Sequence, residues 1–264
     1  MMNRIDRKFR ELKAEGRKAF IAYVTAGDPD LAVTEDIVLA LESSGVDIIE
    51  LGIPFSDPLA DGPTIQAASQ RALKKKANLK KIFRMVSDIR KRTDMPIVFM
   101  TYYNPVLKYG LAPFFRACVK RGVDGVIVPD LPYEEARELI ALGRTYKVAT
   151  IFLAAPTSTR DRIRKIVRAS SGFIYYVSLT GVTGARAKLP PEILSNVKAI
   201  KALTDKPVAV GFGVSNAGQA SSVARAADGV IVGSAIVKII ATRKRLIPKV
   251  SSFVKKIAKS VHGI

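Results

Sequence analysis

The chain has 264 residues, 48% of them hydrophobic and 25% charged, and its 43 Lys and Arg against 23 Asp and Glu give a net charge of +20. This length fits one α/β barrel, and the composition provides enough apolar material for a core and excludes an intrinsically disordered chain. The N-terminus is charged, and no run approaches about 18 uncharged apolar residues, so we expect no signal peptide and no membrane span. These features predict a cytoplasmic protein.

The single cysteine and the single histidine restrict the chemistry that the chain can perform. Cys118 has no intrachain disulfide partner, and we expect it to be a small buried residue behind Phe114 and Phe115. His262 is the third residue from the end, where fraying is expected. A Ser-His-Asp triad, a cysteine zinc cluster and a multi-histidine metal site are therefore disfavoured, and we expect no metal site. Acid–base catalysis must fall mainly to carboxylates, Tyr or Lys.

Eight apolar runs rich in β-branched residues occur along the chain, each followed by loop residues and a helical pattern. They cover residues 20–24, 47–51, 96–102, 125–128, 149–154, 173–178, 207–210 and 229–232. Apolar strands that alternate with amphipathic helices are typical of a parallel sheet covered by helices, and eight such units predict a closed (β/α)8 TIM barrel of the α/β class. An open doubly wound sheet is the alternative. No Ser/Gly-rich linker divides the chain, so we expect residues 1–264 to form a single domain.

Carboxylates follow the early strands, at the end of the barrel where reactions take place. Glu50 ends the second apolar run, where partial burial would raise the pKa of its carboxyl group and let it both give and take protons near neutral pH. Asp61 lies in the turn-rich loop that follows. It is either a second catalytic carboxylate, or a turn former or N-cap for a helix that begins near Thr64. Asp28 and Asp130 resemble ordinary turn residues.

The loops after the seventh and eighth strands predict a phosphate site. Gly213 lies in the glycine-rich loop 211–215, while Gly233 and Ser234 lead directly into an apolar helix. Glycines let backbone amides approach an anion closely, and the amides of a helix N-terminus would complete the cradle. Tight turns also need glycine for steric reasons alone, but TIM barrels frequently bind phosphate after these two strands.

The sixth loop, residues 180–188, is polar and contains Gly181 and Gly184. It is long enough to fold over the mouth of the barrel, so it could act as a lid that excludes water. The alternative is a surface connection without a role.

Basic residues are concentrated in two segments, ten of them in residues 71–92 and eight in residues 238–259. Such clusters can attract nucleic acid, membrane phosphates or an anionic metabolite. The apolar positions of the first segment recur at helical spacing from Leu79 to Ile89, so a surface helix with solvated lysines is the simpler interpretation. Because no aromatic residues alternate with the lysines and no nucleic-acid motif is present, we do not expect a nucleic-acid partner.

Four segments resemble a known family. They are residues 23–30 (YVTAGDPD), 49–66 (IELGIPFSDPLADGPTIQ), 178–186 (SLTGVTGAR) and 211–219 (GFGVSNAGQ). In sequence and in order they closely resemble the tryptophan synthase alpha chain. The resemblance extends over nearly the whole chain, and the second segment is too long to recur by chance.

The resemblance implies a lyase that cleaves indole-3-glycerol phosphate to indole and glyceraldehyde 3-phosphate by a retro-aldol reaction, without metal or cofactor. Glu50 matches the catalytic glutamate of the family, and Asp61 matches the acid that binds the indole N–H. Tyr175 matches a tyrosine that lines the site. The remaining expected substrate-binding residues are Tyr23, Tyr102, Thr183, Gly184, Gly213, Gly233 and Ser234.

The resemblance also implies a partner, a beta chain that carries pyridoxal phosphate and receives indole through a tunnel in an alpha2-beta2 tetramer. Asp57 and Pro58 lie in the matching loop that communicates with the beta chain. The net charge of +20 departs from the family. It leaves open a second interpretation, a basic barrel whose main role is to bind a polyanion. A third, another phosphate-binding barrel such as indoleglycerol phosphate synthase, would need a lysine inside the barrel, and none ends these strands.

Overall fold

A computed structural model of the chain describes residues 2–177, 191–211 and 213–263. The strands are β1 (Ala19–Thr25), β2 (Ile48–Gly52), β3 (Ile97–Met100), β4 (Gly125–Ile127), β5 (Ala149–Ile151), β6 (Leu153–Ala154), β7 (Ile174–Val177), β8 (Val208–Gly211) and β9 (Gly229–Val232). The helices are α1 (Arg4–Ala14), α2 (Leu31–Glu42), α3 (Pro63–Lys74), α4 (Leu79–Arg90), α5 (Tyr103–Tyr109), α6 (Leu111–Arg121), α7 (Arg137–Tyr146), α8 (Arg160–Ala169), α9 (Pro191–Lys201), α10 (Ala217–Ala224), α11 (Ser234–Ala241) and α12 (Leu246–His262). Within the ranges described, no helix has the length and apolar character needed to cross a membrane.

The strands form one parallel sheet in the order β5-β4-β3-β2-β1-β9-β8-β7-β6. Its two end strands, β5 and β6, are separated in sequence by Phe152 alone and come from one predicted run. Counted as one strand, they bring the two edges of the sheet together and give a barrel of eight strands. The predicted TIM barrel is confirmed, and the alternative of an open doubly wound sheet is wrong.

Successive side chains of each strand separate into two apolar layers. Ile21 on β1 and Ile48 on β2 belong to an inner cluster, whereas Phe20 and Ile49 belong to the outer cluster between strands and helices. This alternation follows from the two-residue period of a strand. Helix α1 contributes its apolar face to the inner cluster, with the ring of Phe9 5.7 Å from that of Phe173. Helix α1 thus closes one end of the barrel.

The basic segment 71–92 contains two helices rather than one. Helix α3 ends before Lys76, whose φ of 56° is left-handed, and α4 begins after Asn78, whose side chain accepts a hydrogen bond from the amide of Lys81 at 3.1 Å. The predicted apolar face, from Leu79 to Ile89, is buried as expected. Of the lysines that follow Arg71, Lys74 therefore lies on α3, and Lys75 and Lys76 lie in the turn that connects α3 to α4.

Cys118 is fully buried, as predicted, and burial raises the pKa of its thiol. The expectation that His262 frays is wrong. It belongs to α12, and its Nε2 lies 2.8 Å from Oδ2 of Asp47, which also accepts a hydrogen bond from the amide of Phe20 at 2.7 Å. This contact joins the end of the last helix to the start of two inner strands.

Candidate active site

The pleat of the inner strands places three predicted residues at the carboxyl end of the barrel. Tyr23 and Glu50 lie two residues beyond inward-facing positions of β1 and β2, and they are register partners across the two strands. Tyr175 on β7 belongs to the inner cluster itself. Because side chains two residues apart share a face, these groups all project into the barrel.

Glu50 is a buried carboxyl group at the end of β2. Its side chain is 1% exposed, and neither carboxyl oxygen has a partner among the described residues. Burial, helped by the negative charge of Asp61, raises the pKa of Glu50 to about 8. The carboxyl group is therefore protonated at neutral pH and holds a proton that it can give.

Asp61 lies in the loop between β2 and α3, and it does not cap the helix. Gly62 occupies the N-cap position, and no side chain accepts a hydrogen bond there. The backbone of Asp61 is held instead, since its amide donates to the carbonyl of Pro58 at 3.0 Å and its carbonyl accepts from the side chain of Gln66 at 2.8 Å. The alternative that Asp61 is an N-cap is wrong, and its carboxylate lies beside the hydroxyl of Tyr102 instead.

The carboxylate of Asp61 differs from that of Glu50 in its proton affinity. Burial raises the pKa of Asp61 to about 6, and the neighbouring hydroxyl of Tyr102 acts in the opposite direction. At neutral pH Asp61 is thus mostly ionised while Glu50 is mostly protonated. Two carboxyl groups in one pocket, with pKa values on either side of neutrality, supply one proton donor and one negative charge.

Three tyrosines surround these carboxyl groups. The hydroxyl of Tyr102 accepts a hydrogen bond from the amide of Ala60 at 2.9 Å, and its ring stacks on Phe55 with centroids 5.3 Å apart. Tyr102 therefore fixes the residue next to Asp61. Burial raises the pKa of the Tyr23 and Tyr175 hydroxyl groups well above the usual range, so both remain neutral phenols.

Two glycines at strand ends make room for two of these tyrosines, a feature that sequence reasoning missed. A Cβ atom on Gly52 would lie 2.0 Å from the hydroxyl of Tyr23, and one on Gly211 would lie 2.8 Å from the ring of Tyr175. Any side chain at either position would displace its tyrosine. A glycine that ends an otherwise apolar strand is the signal that could have revealed this packing.

The predicted phosphate positions lie in the loop after β8 and at the start of α11. Gly213 has a left-handed φ of 59°, and no atom of the described residues lies within 4 Å of where its Cβ would stand. Gly233 is the N-cap of α11, which is capped by no side chain in the described part of the chain, and Ser234 is the first helical residue. The first amides of α11 have no partner within the helix, as in all helices, so they can bind an anion.

Comparison with known proteins identifies the family of the chain. The profile of the family described as "Tryptophan synthase alpha chain" matches residues 9–262. The tryptophan synthase alpha chain of Caldanaerobacter subterraneus subsp. tengcongensis is 50% identical over 256 residues, covering 96% of this chain and 97% of the relative. That of Geobacter sulfurreducens is 50% identical over 262 residues, covering 98% and 99%. The chain belongs to the tryptophan synthase alpha chain family.

Solved structures agree with this assignment. The alpha subunit of tryptophan synthase from Legionella pneumophila superposes with a TM-score of 0.93 at 36% identity over the full length of both chains. A chain of tryptophan synthase from Mycobacterium tuberculosis superposes with a TM-score of 0.92 at 38% identity, covering 99% of each chain. The protein is a carbon–carbon lyase of tryptophan biosynthesis that cleaves indole-3-glycerol phosphate to indole and glyceraldehyde 3-phosphate. Membership of the alpha chain family also implies a beta-chain partner.

The structure of this alpha chain brings only some of the acidic loop residues to the mouth. Asp28 is buried against Arg71, which donates two hydrogen bonds to its carboxylate at 2.8 and 2.7 Å. Asp130 accepts hydrogen bonds from the amide of Tyr103 at 2.9 and 3.1 Å. Both are structural, in keeping with the turn roles predicted for them, although the Asp28 ion pair was not foreseen. Thr183, Gly184 and the predicted lid, residues 180–188, lie outside the described residues.

Proposed function

We propose that Glu50 performs both proton transfers of the cleavage. Its protonated carboxyl group gives a proton to C3 of the indole ring and becomes a carboxylate. The carboxylate then takes the proton of the side-chain hydroxyl as the carbon–carbon bond breaks, an aldehyde forms and the bonding electrons return to the ring. Glu50 ends protonated, ready for the next cycle. The observation that carries this role is the buried carboxyl group at the end of β2, which has no hydrogen-bond partner among the described residues and whose raised pKa suits both steps.

Asp61 is proposed to bind the indole N–H and to oppose the positive charge that protonation at C3 creates in the ring. A negative charge fixed in a partly buried site stabilises such an intermediate more strongly than water does. The pKa of about 6 keeps Asp61 ionised at neutral pH. Tyr23, Tyr102 and Tyr175 are proposed to line the ring pocket as neutral phenols.

The phosphate of the substrate is proposed to bind the amides at Gly213, Gly233 and Ser234. Support comes from the open backbone of Gly213 and from the uncapped N-terminus of α11. Thr183 and Gly184 are proposed to close over the phosphate on grounds of the family resemblance alone. The proposed chemistry uses side chains and backbone, with no metal or cofactor bound to this chain.

We further propose that the chain is a single cytoplasmic domain that joins its beta chain in an alpha2-beta2 tetramer. The loop with Asp57 and Pro58 is the proposed contact. Leu59, directly after it, is 92% exposed, which suits a residue that becomes covered by a partner. Analytical ultracentrifugation of the mixed chains tests the stoichiometry, which should correspond to two of each.

The assay of a Glu50→Gln variant tests the proposed function. Glutamine keeps the size of the side chain but cannot donate or accept the transferred proton, so turnover of indole-3-glycerol phosphate should fall by at least about a hundredfold with KM largely kept. Glu11→Gln is the matched control, because Glu11 is a half-exposed residue of α1, at the opposite end of the barrel. Turnover near that of the wild type in Glu50→Gln would reject the assignment.

A further inference from the structure

Helices α4 and α6 pack side by side on the outside of the barrel and leave a cleft between them. Its volume is about 420 Å³, within the range of about 300–1,000 Å³ that small-molecule sites occupy. The lining residues are Lys80, Phe83, Arg84, Tyr109, Arg116, Ala117, Lys120 and Arg121. None of them belongs to the active site described above.

The charge of this α4–α6 cleft is entirely positive. Lys80 and Arg84 lie one turn apart on α4, and Arg116 and Lys120 lie one turn apart on α6, so each wall carries such a pair, and Arg121 adds a third cation to the α6 wall. None of these four side chains forms an ion pair with a carboxylate in the part of the chain that the structure describes. Like charges at this spacing destabilise a helix by a few tenths of a kcal/mol. An anion bound between the two walls would attract the cations of both helices and offset the repulsion between them.

An aromatic surface lies beside the cations. Tyr109, at the end of α5, is 37% exposed, and its ring packs against Phe83 and Phe114 at centroid distances of 5.8 and 6.4 Å. These two rings are buried and hold Tyr109 in place. The exposed part of the Tyr109 ring is therefore a fixed surface on which a planar ring can stack.

We propose that the α4–α6 cleft binds a nucleotide polyphosphate, with the base against Tyr109 and the phosphates between the two cation pairs. Arg84 and Arg116 provide planar forks that match phosphate oxygens. A second basic depression lies between α11 and α12, but its cations Arg245, Lys249 and Lys256 all belong to α12 or its N-cap. That depression has charge on one wall only, so it serves as the matched control.

The experiment is a calorimetric titration of the purified chain with ATP, ADP, AMP and inorganic tripolyphosphate at physiological ionic strength. Saturating glycerol 3-phosphate is included to fill the proposed phosphate site at the barrel mouth, so that this site does not contribute to the nucleotide signal. We expect one nucleotide per chain, with affinity decreasing from ATP to AMP. The double variant Arg84→Gln/Arg116→Gln should bind ATP at least about tenfold more weakly. Lys249→Gln/Lys256→Gln removes the same charge and should change the affinity less than about twofold.

A Tyr109→Leu variant tests the aromatic contact, since it should weaken the binding of ATP but leave the affinity for tripolyphosphate unchanged. The substituted cations are exposed, and thermal melting of each variant verifies its fold. Absence of saturable ATP binding to the wild type would overturn the proposal. Equal weakening by both double variants would do the same, because it would indicate diffuse attraction to the basic surface. The nucleotide assignment would be rejected if tripolyphosphate bound as tightly as ATP and Tyr109→Leu left the affinity for ATP unchanged.

Discussion

Glu50 and Asp61 have the same functional group, and their surroundings give them different states. Glu50 sits inside the barrel, fully buried and without a hydrogen-bond partner in the described residues, whereas Asp61 lies at the mouth near the Tyr102 hydroxyl. The resulting pKa values of about 8 and about 6 place neutral pH between them. These surroundings thus keep one carboxyl group as the acid and the other as the anion.

The pH dependence of the reaction follows from these two states. The reactive form has Asp61 ionised, which requires a pH above about 6, and Glu50 protonated, which requires a pH below about 8. We therefore expect a bell-shaped profile of kcat/KM with limbs near those values. Asp61→Asn should lower kcat/KM by about a hundredfold and remove the acidic limb, because an amide supplies no charge at any pH.

Steady-state assays from pH 5 to 9 measure both effects. Asp130→Asn is the control, since the carboxylate of Asp130 binds the amide of Tyr103 and has no role in the proposed chemistry. Its profile should keep both limbs. A stable Asp61→Asn variant with an intact acidic limb and the wild-type rate would show that Asp61 has no catalytic part.

At the residue scale, sequence reasoning reached the position of Glu50 but not its surroundings. Its place at the end of an apolar run was enough to predict burial and a raised pKa. Its lack of a hydrogen-bond partner within the described ranges depends on which side chains β1 and β7 bring next to it, and those strands are distant from it in the sequence. The close approach of Tyr23 to Gly52 was missed for the same reason, because it too depends on which strands become neighbours.

At the scale of elements, apolar runs were a reliable guide to the strands. All eight predicted runs contain strands, and the split of the fifth run into β5 and β6 leaves its place in the barrel unchanged. The third run was predicted to reach Tyr102 but β3 ends at Met100, because Tyr102 is the N-cap of α5. The break between α3 and α4 was missed, since a left-handed lysine such as Lys76 has no characteristic sequence signal.

The junction of β9 and α11 yields a prediction about substrate binding. A Cβ atom on Gly233 would lie 3.3 Å from the Cβ of Tyr23, so valine there would press on the tyrosine and on the space in front of the α11 amides. Gly233→Val should raise KM more than it lowers kcat. The phosphate is remote from the bond that breaks and contributes mostly uniform binding.

Steady-state kinetics and competitive inhibition by inorganic phosphate measure this effect, and inhibition should weaken in the variant. Gly218→Val is the control, because a Cβ there meets only ordinary contact, with Asn216 Oδ1 at 3.5 Å. Melting curves distinguish lost binding from lost stability. A Gly233→Val enzyme with reduced kcat and unchanged KM would contradict a phosphate cradle at this junction.

At the scale of the whole molecule, the excess of cations leaves many of them without a carboxylate. Several cations share one carboxylate at the buried Asp124, which binds both Arg4 at 3.1 Å and Arg90 at 2.6 Å. A sequence count gives the net charge of +20 but does not separate cations that form an ion pair, such as Arg71, from those that form none with the residues the structure describes, such as Lys80. That distinction needs the fold, and it is what singles out the α4–α6 cleft.

The net charge also predicts how stability depends on salt. Self-repulsion of a chain at +20 destabilises the compact state, and it is screened as the Debye length falls from about 30 Å at 0.01 M to about 8 Å at 0.15 M. Exposed ion pairs lose strength over the same range, but each contributes only about 0–1 kcal/mol. Repulsion should outweigh them, so the melting temperature should rise by about 2–4 °C for each kcal/mol of repulsion that is screened.

Calorimetry in sodium chloride measures this rise, because chloride avoids the specific binding expected of phosphate. A Lys198→Glu/Lys255→Glu variant changes two exposed helix residues outside both proposed sites, and each exchange lowers the net charge by two. Its melting temperature at low salt should exceed that of the wild type, and its dependence on salt should be smaller, because less repulsion remains to be screened. A wild-type melting temperature that falls as salt is added would mean that the ion pairs, rather than the excess of positive charge, dominate the electrostatic free energy of folding.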